Sequence, residues 1–286
     1  EQLLAGNDKK VAEIAELQDF VNRFGANASK AKQASSRAKK MDKIKLDDVK
    51  ASSRITPKIA FAPGKKMHRQ ALELESLGHG FDGEVLFENG DLLLEAGAKV
   101  AIIGENGVGK TTFLRCLMNE FDNYEGVVKW SENASVGYCP QDSGSFFEND
   151  LTLMEWMSQW RRPCHNDLSV RGMLGRMLFT DDDANKKARN CSGGEKNRLL
   201  FGRLMMADIN VLIMDEPTNH MDIEAIDALN NALKDFEGTL IFVSHDREFV
   251  SSLATRIIDI KDKKLIDFQG SLDEYLDSQM QVQKRA

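Results

Sequence analysis

No stretch of this chain approaches the roughly eighteen unbroken apolar residues that a membrane-crossing helix needs, so no such span is expected in its 286 residues. The opening Glu1-Gln2-Leu3-Leu4 lacks the basic-then-apolar pattern of a secretory signal. It also lacks an initiator methionine, which points to a piece of a longer chain or to a chain whose ordered part starts internally. Paired cysteines are absent too. Cys116, Cys139, Cys164 and Cys191 form no C-x-x-C, and no histidine stands at metal-ligand spacing from them. The expected state is reduced thiols in a cytoplasmic protein.

Apolar residues make up 42% of the chain, enough core for one large domain or two small ones. The net charge of −7 conceals two kinds of surface. Residues 1–70 carry 16 Lys/Arg against 8 Asp/Glu, whereas residues 71–286 carry 22 against 37. Basic character is densest between Asn27 and Lys45, where Lys30, Lys32, Arg37, Lys39, Lys40, Lys43 and Lys45 face a single Asp.

The most informative stretch is Gly104-Glu105-Asn106-Gly107-Val108-Gly109-Lys110-Thr111-Thr112. An apolar run, Val100 to Ile103, precedes it, and a helical pattern of Phe113, Leu114 and Leu117 follows. Strand, glycine-rich loop and helix form the context in which G-x-x-x-x-G-K-[ST] means a phosphate-binding loop. Glycines let successive backbone N–H groups approach phosphate oxygens closely. The helix start adds its positive dipole end. Lys110 can reach the β- and γ-phosphates, and Thr111 can offer a hydroxyl to Mg²⁺.

Upstream, Val11, Ile14, Leu17, Val21 and Phe24 make a helical stripe, and Ala34, Ala38, Met41 and Ile44 make a weaker one. Gly25 to Ser29 separates them, so residues 1–55 read as a two-helix hairpin or arm. Its basic segment is either a nucleic-acid contact or an ordinary solvated face. Thr56-Pro57 and Ala62-Pro63-Gly64 mark a linker. A strand is expected over Leu72–Leu77, a loop over Gly78–Gly83, then separate strands at Val85–Phe87 and Leu92–Leu94. Phe81, in that loop, either stacks on a nucleotide base or fills core.

Short strands are expected near Gly126–Trp130 and Ser135–Tyr138, followed by Pro140-Gln141. Residues 151–206 read as mostly helical, with a Met- and Trp-rich stripe that signals core packing. Ser192-Gly193-Gly194-Glu195 opens a helix at another potential anion site. Val211 to Glu216 is a buried parallel strand ending in two carboxylates, which are costly to bury unless they meet a cation. Thr239 to Asp246 is a further apolar strand that delivers His245 at its end. Several strands thus end in polar residues on one rim of a parallel sheet, where such folds bind ligands.

Taken together, these stretches resemble the ATP-binding cassette ATPases. The phosphate loop, Gln141, Ser192–Glu195, Asp215-Glu216 and His245 stand in that family's order over residues 71–278. Asp215-Glu216-Pro-Thr-Asn-His-Met-Asp222 resembles the ABC-F subfamily, which has no transmembrane domains. Phe20–Phe24, Ala28–Gln33 and Ser36–Lys39 resemble the helical linker between the two cassettes of ABC-F proteins, and Glu148–Thr152 with Glu155–Trp160 resembles a bacterial branch of them. The chain would then be the linker and second cassette, lacking the first.

The resemblance implies an α/β fold: a RecA-like P-loop core, an antiparallel β-subdomain and a helical signature subdomain, preceded by a two-helix linker arm. Residues 1–55 would be the linker, 56–70 a connecting segment, 71–278 the ATP-binding domain and 279–286 a tail. It implies ATP and Mg²⁺ as ligands, with Phe81 and Gly104 to Thr112 binding ATP. Thr111, Gln141 and Asp215 would hold the metal. Glu216 would be the base and His245 a γ-phosphate contact, with Gln141 beside them. Ser192, Gly193, Gly194 and Glu195 would contact ATP on an opposite cassette, with Asn219, His220 and Asp222 as the adjoining D-loop. The implied partners are the ribosome, through large-subunit RNA and P-site tRNA at the Lys30–Lys45 tip, and either the first cassette or a head-to-tail second copy. No membrane partner is implied; the rival is the nucleotide-binding subunit of a membrane transporter. Cys191 and Met221 stand where the family usually has Leu, both volume-tolerant apolar exchanges.

Overall fold

In the computed structural model, residues 56–62 and 64–283 are described, and they belong to one unit beginning at Thr56. The two N-terminal helical stripes, the basic Lys30–Lys45 segment and Pro63 lie outside the described residues.

The apolar runs become the centre of a six-stranded sheet. β3 (Lys99–Ile103), β6 (Val211–Asp215) and β7 (Thr239–Val243) are parallel, with β5 (Val136–Cys139) and β8 (Arg256–Lys261), and with β9 (Lys264–Gln269) the order is β5-β6-β7-β3-β8-β9. Every residue of β6 and β7 is buried because both faces of the sheet are covered. Alternation then divides one core into two. Val100, Ile102, Val211, Ile213, Ile241 and Val243 pack on one face. Ala101, Leu212, Met214, Leu240 and Phe242 pack on the other. β9 (Lys264–Gln269) closes the edge as an antiparallel hairpin with β8. Its two turn residues, Asp262 and Lys263, both take positive φ (49° and 63°), as a tight two-residue hairpin requires.

A smaller antiparallel sheet, order β2-β1-β4, comprises β1 (Gln70–Phe81), β2 (Glu84–Glu95) and β4 (Glu125–Trp130). It departs from expectation in two places. The presumed loop at Gly78–Gly83 is mostly strand, and only Asp82 and Gly83 turn. A Cβ on Gly80 would lie 2.2 Å from the Glu84 carbonyl oxygen, so glycine here serves close strand approach. The two strands expected at Val85–Phe87 and Leu92–Leu94 are one, because Asn89 adopts φ 50° and the register shifts past it.

The helical region holds α2 (Leu153–Ser158), α3 (Asp167–Arg176) and α4 (Gly193–Met206) after α1 (Lys110–Leu117). Each of α2, α3 and α4 begins with a capping box: Thr152/Glu155, Asn166/Ser169 and Ser192/Glu195. The Met- and Trp-rich stripe is core, with Trp156, Met157, Val170, Leu174 and Met177 buried. Helices α5 (Ile223–Asp235), α6 (Arg247–Leu253) and α7 (Leu272–Gln283) complete the unit.

Residues 56–62 and 64–69 are anchored to the rest of the unit. Phe61 and Met67 are buried, and Gly64 donates to the Ile209 carbonyl at 3.0 Å. Asn210 secures the same stretch: its amide donates to Lys65 O and Asn133 O, and its oxygen accepts from Ser135 N–H.

Candidate active site

The phosphate loop joins β3 to α1, and three of its glycines take positive φ: Gly104 (142°), Gly107 (85°) and Gly109 (103°). A side chain on Gly104 would put Cβ 2.7 Å from the Ile260 carbonyl, and one on Gly109 would meet Leu86 at 3.1 Å. Gly109 is also the N-cap of α1 and offers no side chain to its first-turn N–H groups, leaving them for an anion. Lys110 Nζ donates to the carbonyls of Gly104 and Glu105, both at 2.9 Å, which holds its charge over the loop. Burial lowers the Lys110 pKa, while Glu216, Asp215 and Asp259 pull it back up.

Four strands of the large sheet deliver polar residues to one cleft of about 430 Å³. β3 brings Asn106, Gly107, Gly109, Lys110, Thr111 and Thr112; β5 brings Gln141; β6 brings Asp215 and Glu216; β7 brings His245. Phe81 comes to its wall from the end of β1 and is 46% exposed there. Leu86 and Val243 also line it. Sequence reasoning passed over both, since an apolar residue in a strand carries no sign of facing a cleft. Gly104, Glu105 and Val108 turn the other way, into a hollow shared with Asp259 and Tyr275.

The paired carboxylates are under electrostatic load. Asp215 is buried, and neither of its oxygens has a hydrogen-bond partner. Burial raises its pKa; Thr111, short of a well-formed bond, and then Lys110 and His245 oppose the rise. Glu216 is likewise buried and raised by burial, with its Oε2 accepting from the His245 backbone N–H at 3.2 Å. Its Oε1 stands 3.3 Å from His245 Nε2. An unpartnered buried carboxylate beside a threonine hydroxyl suits a hard cation that prefers oxygen ligands. Among the described residues no group of three or more His, Cys, Asp or Glu side chains could hold a metal. A magnesium carried largely by phosphates and water fits that sparse donor set.

The Ser192–Glu195 segment is not on this cleft. Ser192 and Gly193 are exposed, at the start of α4. Both Glu195 oxygens are used within the unit, Oε2 by Ser192 N–H at 2.7 Å and Oε1 by Lys186 at 2.8 Å. The D-loop residues adjoin this segment. Asn197 donates to the Asn219 carbonyl at 2.8 Å, and a Cβ on Gly194 would lie 3.3 Å from the His220 carbonyl. Asp222 caps α5, accepting from Ala225 N–H at 2.8 Å. Cys191 is buried in the core and Met221, partly buried, packs against it, as their apolar character anticipates. The cleft and the exposed helix start are therefore separate polar surfaces among the described residues.

Comparison with known proteins assigns the lineage. Two family models, both described as ABC transporter, match residues 87–219 and 1–61. The chain is 59% identical over 278 residues to the "Probable ATP-binding protein YbiT" of Escherichia coli O157:H7, covering 97% of this chain and 52% of that protein. It is 32% identical over 281 residues to "ABC transporter F family member 5" of Arabidopsis thaliana, covering 97% of this chain and 40% of that one. The chain belongs to the ABC-F proteins. Among solved structures, the "RNase-L Inhibitor" superposes with a TM-score of 0.60 at 21% identity, covering 74% of this chain and 43% of that one, which shows the ABC ATPase fold. This ABC-F chain spans about half the length of the curated relatives it matches. No helix among its described residues is long and apolar enough to cross a membrane.

Proposed function

We propose that the cleft binds ATP with Mg²⁺ and hydrolyses the γ-phosphate, and that the ABC-F protein carrying it uses closure of two cassettes around ATP to act on the ribosome in the cytoplasm. The observation that carries the first part is the convergence of Lys110, Thr111, Gln141, Asp215, Glu216 and His245 on one cleft. Phe81, half exposed on the wall, is the surface for the base. The loop's glycine backbone and the start of α1 cradle the phosphates, and Lys110 balances charge that develops on the γ-phosphoryl oxygens.

Glu216 then orients the attacking water and takes its proton, and a pKa raised by burial makes it the better base. His245, beside Glu216, contacts the γ-phosphate. Thr111, Gln141 and Asp215 would hold the Mg²⁺, which when bound spreads the charge of the β- and γ-phosphates.

Ser192, Gly193 and Gly194 reach ATP on an opposing cassette, either the first cassette of the same protein or a second copy of this chain. The exposure of Ser192 and Gly193, away from this unit's own cleft, supports that arrangement. The D-loop residues Asn219 and His220 lie at the same junction. Residues 1–55 serve as the interdomain linker, 56–70 as the connecting segment, 71–278 as the ATP-binding domain and 279–286 as a tail. The basic Lys30–Lys45 segment contacts tRNA and large-subunit RNA; its charge supports this. Co-sedimentation with ribosomes, with and without ATP, tests the partner directly. Pelleting that depends on ATP is expected, and no pelleting in either state would refute ribosome association.

A further inference from the structure

His79 is an anomaly. The imidazole is 4% exposed and neither Nδ1 nor Nε2 has a hydrogen-bond partner, although buried polar groups normally find one. Its ring instead meets aromatic rings. It stacks on Phe121 at 4.6 Å with 26° between planes, and meets Phe81 edge to face at 4.8 Å and 83°. Phe81 and Phe121 close the triangle at 5.7 Å and 72°. Arg115, from α1, lies 4.6 Å over the Phe121 ring. Of the three rings, Phe81 is the exposed one, on the wall of the cleft.

We propose that His79 is a positioning residue for the nucleotide base: wedged against Phe121, it holds Phe81 edge-on so that the free face of Phe81 is a preset stacking platform. This rests on the reading of the cleft as a nucleoside-triphosphate site. His79 and Phe81 are two residues apart in β1, so their side chains rise from the same face of the strand and Phe121 buttresses both. The imidazole nitrogens are buried and cannot reach the base, so its ring carries the role. A phenyl ring would fill the same place without leaving polar atoms unpaired. A platform made of ring faces reads stacking area and not base edges. The ligand class is accordingly a purine nucleoside triphosphate, with adenine and guanine treated alike.

The test is equilibrium binding of ATP and of inorganic tripolyphosphate to the full chain. It compares the unaltered protein with His79→Leu, His79→Phe, Phe121→Leu and Phe81→Ala. His79→Leu is expected to weaken ATP about three- to tenfold, the size of one aromatic pair, and to leave tripolyphosphate binding unchanged. His79→Phe should restore ATP binding. Phe121→Leu should repeat the ATP-only loss, and decides the matter if His79→Leu does not fold. Unchanged ATP affinity in the folded variants, or an equal loss for both ligands, would overturn the positioning role. An unaltered protein that binds neither ligand would instead sink the nucleotide site, and a silent Phe81→Ala would sink the platform itself.

Discussion

Glu216 holds φ at 48°, a left-handed conformation that a non-glycine residue adopts only when its surroundings enforce it. Its N–H donates to the Val243 carbonyl at 2.9 Å, and its side chain is buried beside an equally buried Asp215. Stability is therefore spent at this point on presenting two carboxylates to the cleft. Replacing Glu216 by Gln should lower turnover by about 10²- to 10⁴-fold, the usual worth of a positioned base, while ATP still binds. Single-turnover hydrolysis beside equilibrium binding checks both halves.

The same variant makes a stability prediction whose sign is fixed. Glu216 has a folded pKa raised above its unfolded value, so its contribution favours the fold below the unfolded pKa and is lost as pH rises through the folded one. Glu216→Gln should thus melt at a higher temperature than the unaltered protein at neutral pH. The gap should close on acidification, from the raised pKa down to the ordinary glutamate value of about 4.3. A gap that is absent at pH 7, or that widens in acid, would show that burial does not load this carboxylate. Gly104 is also under constraint. Gly104→Ala would bring Cβ to 2.7 Å from the Ile260 carbonyl at φ 142°, at a cost of about 1–3 kcal/mol. Thermal melting should fall accordingly, and ATP binding should fall with the loop's shape.

At the scale of elements, α7 is fastened behind the phosphate loop. Tyr275 donates its hydroxyl to Asp259 of β8 at 2.6 Å in a buried setting, and the Tyr275 ring meets Phe268 of β9 edge to face. Tyr275→Phe keeps the ring contact and strands a buried carboxylate oxygen, which costs about 1–3 kcal/mol. A lower denaturant midpoint with an unchanged slope is the expected result; no change would mean that Asp259 finds another donor. The elements that were legible in the sequence are those whose chemistry is local. The β6 and β7 runs read as buried strands because their residues are apolar apart from Asp215 at the polar rim and Thr239 at the opposite end of β7, and Ser192 announced the cap of α4. What was illegible depends on distant partners. Gly78 and Gly80 look like a loop until β2 lies against them, and residues 56–69 look like a linker until Asn210, 145 residues from Lys65, ties them down. The Asp259–Tyr275 pair and the ring contacts of His79 follow the same pattern: no periodicity marks them.

For the whole molecule, two surfaces must be explained together. The cleft gathers the groups on which the proposed triphosphate chemistry rests, and Ser192 and Gly193 sit elsewhere, exposed at a helix start next to Asn219 and His220. The RNA contact proposed for the basic Lys30–Lys45 segment would be separable from both. If it contacts about five phosphates of RNA, binding should fall with salt along a log–log slope of about −3 to −4. A flat response would make it an ordinary solvated surface. The central claim, however, is that each ATP needs a cleft from one cassette and a signature segment from another. ATPase activity measured against protein concentration, for the unaltered chain, for Lys110→Ala, for Ser192→Arg and for the two variants mixed, tests it most directly. Specific activity should rise with concentration, each variant should be inactive alone, and the mixture should recover activity because one intact cleft then faces one intact signature. Full, concentration-independent turnover by a monomer, or a Ser192→Arg variant as active as the unaltered chain, would contradict it.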